Sequence, residues 1–428
     1  MFSVSYIYAS MLRKLTTKIQ QMKNWRGMFL GAGASYDFGL PLVWDITNEI
    51  RDWLTPNKLN DLNEHWKKCG EGRKNQTIEI TSKLLTNSEL HYEQIIGALE
   101  VEIGRTHNNK DLFQDLHHMR SWLVELVSIL LIFRQVKNEK YIKNTLDLYY
   151  RFQKFLDVDY PFWIFTSNHD LNIEILASHY NITYKTGFYN RGMSIPLIQN
   201  EYKNHSRIKF DEFNCDKFHQ EPLNFMNNIN DRGINLFKIH GALDIFLYDD
   251  NKKYLKINFD ECTNYRHIIS LLREINLLIA TIPDFKCTNE IAFFDDQKTL
   301  QFLRRSVLTG MHKFEDRASQ SIPSEILPLF KRHLGYVDEL FVIGYGFGDT
   351  HINQTFREWI SKSSNKKLII VNPRITSIPE DFKIYVGQTK IIQESFLEFL
   401  ARETRTPFTV SERSLIDARK GYRNHVQR

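Results

Sequence analysis

Five short apolar runs, each bounded by turn or charge signals, constrain this chain more than any other feature: Met28 to Leu30, Phe162 to Phe165, Leu236 to Ile239, Leu340 to Ile343 and Leu368 to Val371. Alternation is weak in all five. Near-continuous apolarity suits strands covered on both faces, and hence a parallel sheet between layers of helix. A sixth run, Phe382 to Val386, alternates and reads as one more strand. Helical periods follow several of the strands: Ile46, Ile50, Trp53 and Leu54 after the first, and Ile352, Phe356, Trp359 and Ile360 after the fourth. The pattern predicts an α/β fold with a doubly wound, mostly parallel sheet. In such sheets ligands collect in the turns at the carboxyl ends of the strands.

Between Pro56 and Asp159 the periodicity is helical throughout, which predicts a helical insertion subdomain of about a hundred residues at about 56–159. The stretch from Gly187 to Gly233 is polar and irregular, and reads as a lid or a long surface excursion. Residues 1–27 read as an N-terminal helical extension, 28–400 as the main domain, and 401–428 as a basic C-terminal tail. That tail carries seven Lys/Arg against three acids, and is expected to be solvated or to make a subunit contact.

Some classes drop out on composition. A net charge of +5 over 428 residues is too small to imply direct nucleic-acid binding. The cluster "SWLVELVSILLIFRQV" is interrupted by Glu125 and closed by Arg134, so it predicts a buried helix and no membrane partner. The four cysteines are scattered without a C-x-x-C pair. They supply neither a zinc ribbon nor a disulfide framework, so a reducing, cytoplasmic location and no bound metal are expected.

The turns carry the chemistry. In the first, Gly31-x-Gly33-x-Ser35 with Gly39 and Pro41 beyond, glycines allow close backbone approach; it reads as an anion-binding turn or as a bare corner before a helix. In the second, "IFTSNHDLNIE", Asn168 and Asp170 stand two apart, placed to cap a helix or to aim into a cleft. The third, "LFKIHGALDIF", puts His240 at a strand end. The imidazole reads as a general base or as a structural histidine at a strand end, and Gly241 is expected to turn the backbone and leave the ring exposed. The fourth, "LFVIGYGFGDTHIN", has Gly344, Gly346 and Gly348, with Asp349 placed to cap the next helix. "LIIVNPR" then ends a strand in Asn372-Pro373.

Taken in order, G-A-G-A-S with Gly39 and Pro41, S-N-x-D, K-x-H-G and G-Y-x-F-x-D-x-H-I-N resemble the sirtuin-like domains of bacteria, above all those of antiphage defence systems; "HYEQIIGALE" resembles a helix of the same group. The resemblance runs from about Met28 to beyond Asn372. It implies a sirtuin-like, Rossmann-like sheet that binds NAD as a substrate and cleaves it to nicotinamide and ADP-ribose. By the same likeness Asn168 positions the ribose and the attacking water, Asp170 helps hold the nicotinamide carboxamide, and His240 is the base. Gly31, Ala32, Gly33 and Ser35 would cradle phosphate, with Gly39 and Pro41 in the same turn, and Gly344, Tyr345 and Asn372 would line the adenosine side. The family implies a homo-oligomer and a HerA-type hexameric ATPase as partner. ADP-ribosyl transfer, or a scaffold that binds NAD or ADP-ribose without turnover, stand as alternatives. The chain departs from the family in having His169 where a tyrosine is common, and in lacking the four-cysteine module of protein deacylases.

Overall fold

The computed structural model describes residues 25–106, 108–196, 207–217, 220–228, 230–278, 288–307 and 322–426. The expected N-terminal extension therefore lies, up to residue 24, outside the described residues. The first strand, β1 (Arg26–Leu30), sends Met28 and Leu30 into one core and Phe29 into another. A strand buried on both faces has no polar side to alternate with, which is why the run is continuously apolar. A seven-residue 3₁₀ helix, Ala32–Phe38, follows, then α1 (Val43–Trp53).

The next four helices, α2 (Pro56–Lys68), α3 (Asn75–Thr86), α4 (Tyr92–Arg105) and α5 (Lys110–Lys137), share a third core around Leu59, Ile78, Leu99, Leu116 and Leu123. By length and composition alone α5 is apolar enough to cross a membrane; here Leu116, Met119, Leu123 and Val127 are buried inside the helical core. Helices α6 (Glu139–Leu146) and α7 (Tyr150–Phe155) lead back to the sheet.

Strand β2 (Pro161–Thr166) repeats the two-sided pattern, with Phe162 and Ile164 on one side and Trp163 and Phe165 on the other. After it come α8 (Asn172–His179), β3 (Tyr184–Lys185), β4 (Tyr189–Pro196) and β5 (Arg207–Asn214). Strands β6 (Gly233–Lys238), β7 (Gly241–Tyr248) and β8 (Lys253–Ile257) precede α9 (Tyr265–Arg273), β9 (Glu290–Phe294) and β10 (Leu300–Val307). The chain then runs through α10 (Ile326–Leu334), β11 (Glu339–Ile343), α11 (Thr350–Ile360), β12 (Lys367–Val371), β13 (Thr389–Ile392), α12 (Phe396–Glu403) and α13 (Val410–Val426).

All five apolar runs fall in one parallel sheet of order β13-β12-β11-β1-β2-β6-β3. The chain builds outward from β1 to β2 and β6, then returns to the other side of β1 for β11, β12 and β13. The doubly wound α/β class therefore holds, and the point of reversal lies between β1 and β11.

Two sequence expectations are corrected. Phe382 to Val386 is no strand: Glu380–Tyr385 forms a 3₁₀ helix that buries Phe382 and leaves Ile384 and Val386 in solvent, and Thr389–Ile392 pairs with β12 instead. Among its described residues, the stretch from Gly187 to Gly233 is more than a bare surface excursion. It contributes β4 and β5 to a second, antiparallel sheet of order β4-β5-β8-β7-β10-β9.

The basic tail docks on its own chain. Arg151, fully buried, pairs with Glu412 of α13 and donates to the carbonyls of Thr406 and Pro407. Arg419 reaches the carbonyls of Asp37 and Tyr141 and the hydroxyl of Thr145.

One packing detail sets a pH dependence. His333 on α10 stacks on Trp163 of β2 at 4.8 Å, and burial, reinforced by Arg332, lowers its pKa to about 4. Below its ordinary value of 6.5 the unfolded chain takes up a proton that the folded one refuses, so this group costs stability as pH falls from 6.5 toward 4. At about 1.4 kcal/mol per pH unit, full passage through that window removes roughly 3 kcal/mol. His333→Phe keeps a ring on Trp163 and is expected to flatten the slope, read by urea unfolding at successive pH values. An unchanged slope would assign the acid sensitivity to other groups.

Candidate functional site

The register of the parallel sheet lines up one row of residues at its carboxyl edge. Val371 pairs with Ile343, Ile343 with Leu30, Leu30 with Thr166, and Thr166 with Lys238. One residue beyond that row stand Asn372, Gly344 and Gly31; two beyond it stand Asn168 and His240. Residues from all four turns thus share one crest, with β1 and β11 at its centre.

The turn glycines bring two backbones together there. Gly31 N–H donates to Ile343 O at 2.9 Å and Gly33 N–H to Gly344 O at 2.8 Å. A Cβ on Gly344, which has φ +63°, would stand 2.3 Å from the Ala34 nitrogen, and one on Gly31 2.6 Å from the Tyr345 Cα. The expected use of these glycines as a phosphate cradle is corrected to this extent: the amides of Gly31 and Gly33 are spent on the β11 turn. Gly39, φ +84°, ends the 3₁₀ helix, and its carbonyl accepts from Asn138; Ala32 lies inside that helix and Pro41 precedes α1.

Around Ser35 a hydrogen-bond relay fixes the second turn. Asn168 Nδ2 donates at 2.9 Å to both Gly31 O and Ser35 Oγ, and Ser35 Oγ donates to Asp170 Oδ2 at 2.5 Å. Because a carbonyl can only accept, the Gly31 contact settles which end of the Asn168 amide is nitrogen. The Asn168 oxygen takes no hydrogen bond among the described residues, and the side chain is half-buried. Below, Thr166 Oγ1 accepts from the Asn168 N–H at 2.9 Å and donates to Leu30 O at 3.0 Å.

Burial raises the pKa of Asp170 above the ordinary carboxylate value, against the opposing hydrogen bonds from Ser35 and the Asn172 N–H and the charge of Lys238. The Lys238 ammonium donates to Asp170 O at 2.6 Å and lies 2.8 Å from Glu174 Oε1. With Asp244 and Lys256 these make a quartet of charges whose side chains are each 4% exposed or less. Burial opposes the charge on Lys256, but Asp244 and Glu174 raise its pKa above the usual lysine value.

His240 is the corner between the two sheets. Its side chain is 3% exposed, so the expectation of an exposed ring is wrong. Gly241 is already the first residue of β7, with φ +73°, and a Cβ there would meet Ser306 O at 1.9 Å. The glycine permits a strand to cross against β10; it does not expose the imidazole. His240 Nε2 lies 3.3 Å from Asp349 Oδ2, a contact that joins the third turn to the fourth.

Tyr345 and Asn372, expected beside adenosine, are tied inward. The Tyr345 hydroxyl accepts from Asp349 N–H at 3.2 Å, and its ring packs on Phe29. Asn372 Nδ2 donates to Tyr345 O at 3.1 Å, and its oxygen accepts from Arg374 N–H. The sequence reading missed Thr166, Glu174, Asp244 and Lys256, and saw Asp349 only as a cap. Lys238 had a legible signal, a lysine inside an otherwise apolar run.

Beside Asn168, Asp170 and Lys238 a hollow offers about 10 Å³ to the centre of a water, room for one. A larger hollow of about 630 Å³ lies away from the crest, lined in part by Trp66, Arg73, Trp122 and Arg305. Its two arginines are already paired with Asp115 and Glu125, which leaves it without a free charge of their kind to recruit a ligand.

Among known proteins, no family model and no curated protein matches this chain. Among solved structures, a Sir2 homologue in complex with NAD aligns at 11% identity with a TM-score of 0.36, over 92% of this chain and 93% of that one. A variant Sir2 homologue in complex with ADP-ribose aligns at 10% identity with a TM-score of 0.35, over 91% and 96%. At these scores the likeness carries no functional weight.

Proposed function

We propose that this chain is an NAD glycohydrolase, with the dinucleotide lying across the crest at the β1/β11 reversal and its nicotinamide ribose at Asn168. The observation that carries the reading is the oriented amide of Asn168. With both N–H groups held by Gly31 O and Ser35 Oγ, only its oxygen is left to accept, and a water or a ribose hydroxyl is what an acceptor holds.

The reaction then needs little else. Water held by the Asn168 oxygen attacks C1′ of the ribose; the C–N bond breaks with its electron pair going to the nicotinamide ring, which leaves neutral. His240 takes the proton that water loses. Fixed groups on a rigid sheet supply orientation, and a base supplies about 10²–10⁴-fold. The hollow has room for a water and none for nicotinamide, so binding requires groups that line it, from Ala34 to Phe38 or from Asn168 to Glu174, to yield.

Depletion of NAD as an antiphage effector, assembly into a homo-oligomer and control by a HerA-type ATPase are proposed on the resemblance of the four turn motifs. Mass spectrometry of NAD incubated with the protein, with and without such an ATPase, tests the reading. Equal amounts of nicotinamide and ADP-ribose are expected. Label from NAD left on macromolecule would make it a transferase, and NAD bound but intact in every condition would make it a scaffold.

A further inference from the structure

We propose that Asp349 is a positioning residue for His240, a carboxylate set beside the imidazole that balances its charge when it takes a proton. This rests on the reaction proposed above. Asp349 divides its two oxygens between two tasks. Oδ1 caps α11, accepting from His351 N–H at 3.2 Å and Ile352 N–H at 3.5 Å, and Oδ2 faces His240 Nε2 at 3.3 Å.

A cap alone does not call for aspartate, since asparagine and serine serve as well. The second oxygen is what the carboxylate adds. The N-terminus of an eleven-residue helix favours a negative charge at this point, and the Tyr345 hydroxyl accepting from the Asp349 N–H holds the residue still. Both side chains are nearly sealed from water, at 3% and 9% exposed, so the attraction is little screened. A carboxylate that fixes the orientation of a histidine and supports its charged form is a recurrent way of preparing a general base.

Other groups face His240 as well. His169 stands across the second turn with its ring 6.5 Å away, Tyr345 sits on the loop that carries Asp349, and Lys238 is two residues back with its charge held by Glu174 and Asp244. On β7 and β10, Gly241 and Ser306 bring no charge.

Two variants of the full chain separate the roles. Asp349→Asn and Asp349→Ser both keep a cap for α11, and both remove the charge. The His240 imidazole is titrated by NMR in histidine-labelled protein without substrate, its signal assigned with His240→Gln, and the pH profile of nicotinamide release is measured alongside. In both variants the His240 pKa is expected to fall by about one pH unit or more. Melting temperature falls only slightly, since the cap remains and the helix N-terminus loses one favourable charge, and nicotinamide release drops by about 10²–10³-fold. Identical His240 titration in wild type and both variants overturns the proposal. Because the titration uses no NAD, a wild-type protein that never releases nicotinamide would sink the reaction, while the titration would still decide the pairing.

Discussion

Asn168→Ala is expected to lower kcat/KM for nicotinamide release by about 10²–10³-fold in a protein that still folds, the scale seen when one oriented polar group at a reacting centre is removed. The loss comes from the acceptor oxygen, the only part of the amide not engaged with Gly31 O and Ser35 Oγ. Stability should suffer little, by about 1 kcal/mol, because Ser35 borders a hollow that admits water and Gly31 O still accepts from the Ala34 N–H. Asn168→Asp is the harsher change, for it sets a second carboxylate beside the acceptor Gly31 O and close to Asp170. Steady-state kinetics on purified variants decide the matter, with thermal melts as the control. An alanine variant within threefold of wild type would remove Asn168 from the chemistry.

Lys238→Met is expected to destabilise the protein by roughly 3–5 kcal/mol. The quartet of Glu174, Lys238, Asp244 and Lys256 is balanced, two charges of each sign from α8, β6, β7 and β8. Removing one ammonium leaves a net negative charge without water to solvate it. Desolvation, and not the lost attraction alone, sets the size of the effect. Adding Glu174→Gln to Lys238→Met restores the balance and should recover part of the loss, which urea unfolding measures. A cost under about 1 kcal/mol for the single change would show that the buried charges relax or neutralise. The same lysine holds Asp170 O, so the quartet is also the floor on which the second turn rests.

Much of the fold was legible because two-sided burial leaves a plain mark. Phe29, Trp163 and Phe165 feed one core while Met28, Phe162 and Ile164 feed another, and no polar alternation can survive that arrangement. The second sheet was not legible for the opposite reason. Its strands mix buried and polar positions, as in Arg207–Asn214, and the buried charges Asp244 and Lys256 interrupt the apolar pattern where their partners lie on other elements. Phe382 to Val386 shows the converse error, since one buried aromatic between exposed neighbours imitates a strand.

At the site, residue types at strand ends named the turns, and the register brings those turns to one edge. What each group touches was hidden. Gly31 and Gly33 serve a second backbone, and His240 meets Asp349, because such contacts join turns far apart in the chain and depend on how the second sheet leaves the first. The exposure of His240 was misread because Gly241 looked like a turn residue and is the start of a strand.

The central strand β1 pairs with β11, and the residues beside that pairing, Trp25 and Asp338, are 313 positions apart. A ribosome adding about 5–20 residues per second needs roughly 15–60 s to deliver the second after the first. Throughout that interval the nascent Gly31 turn has no Gly344 to close against, and a prematurely stopped product lacking β11 never acquires one. Assembly of the crest therefore waits on the synthesis of β11, however early the first turn has emerged.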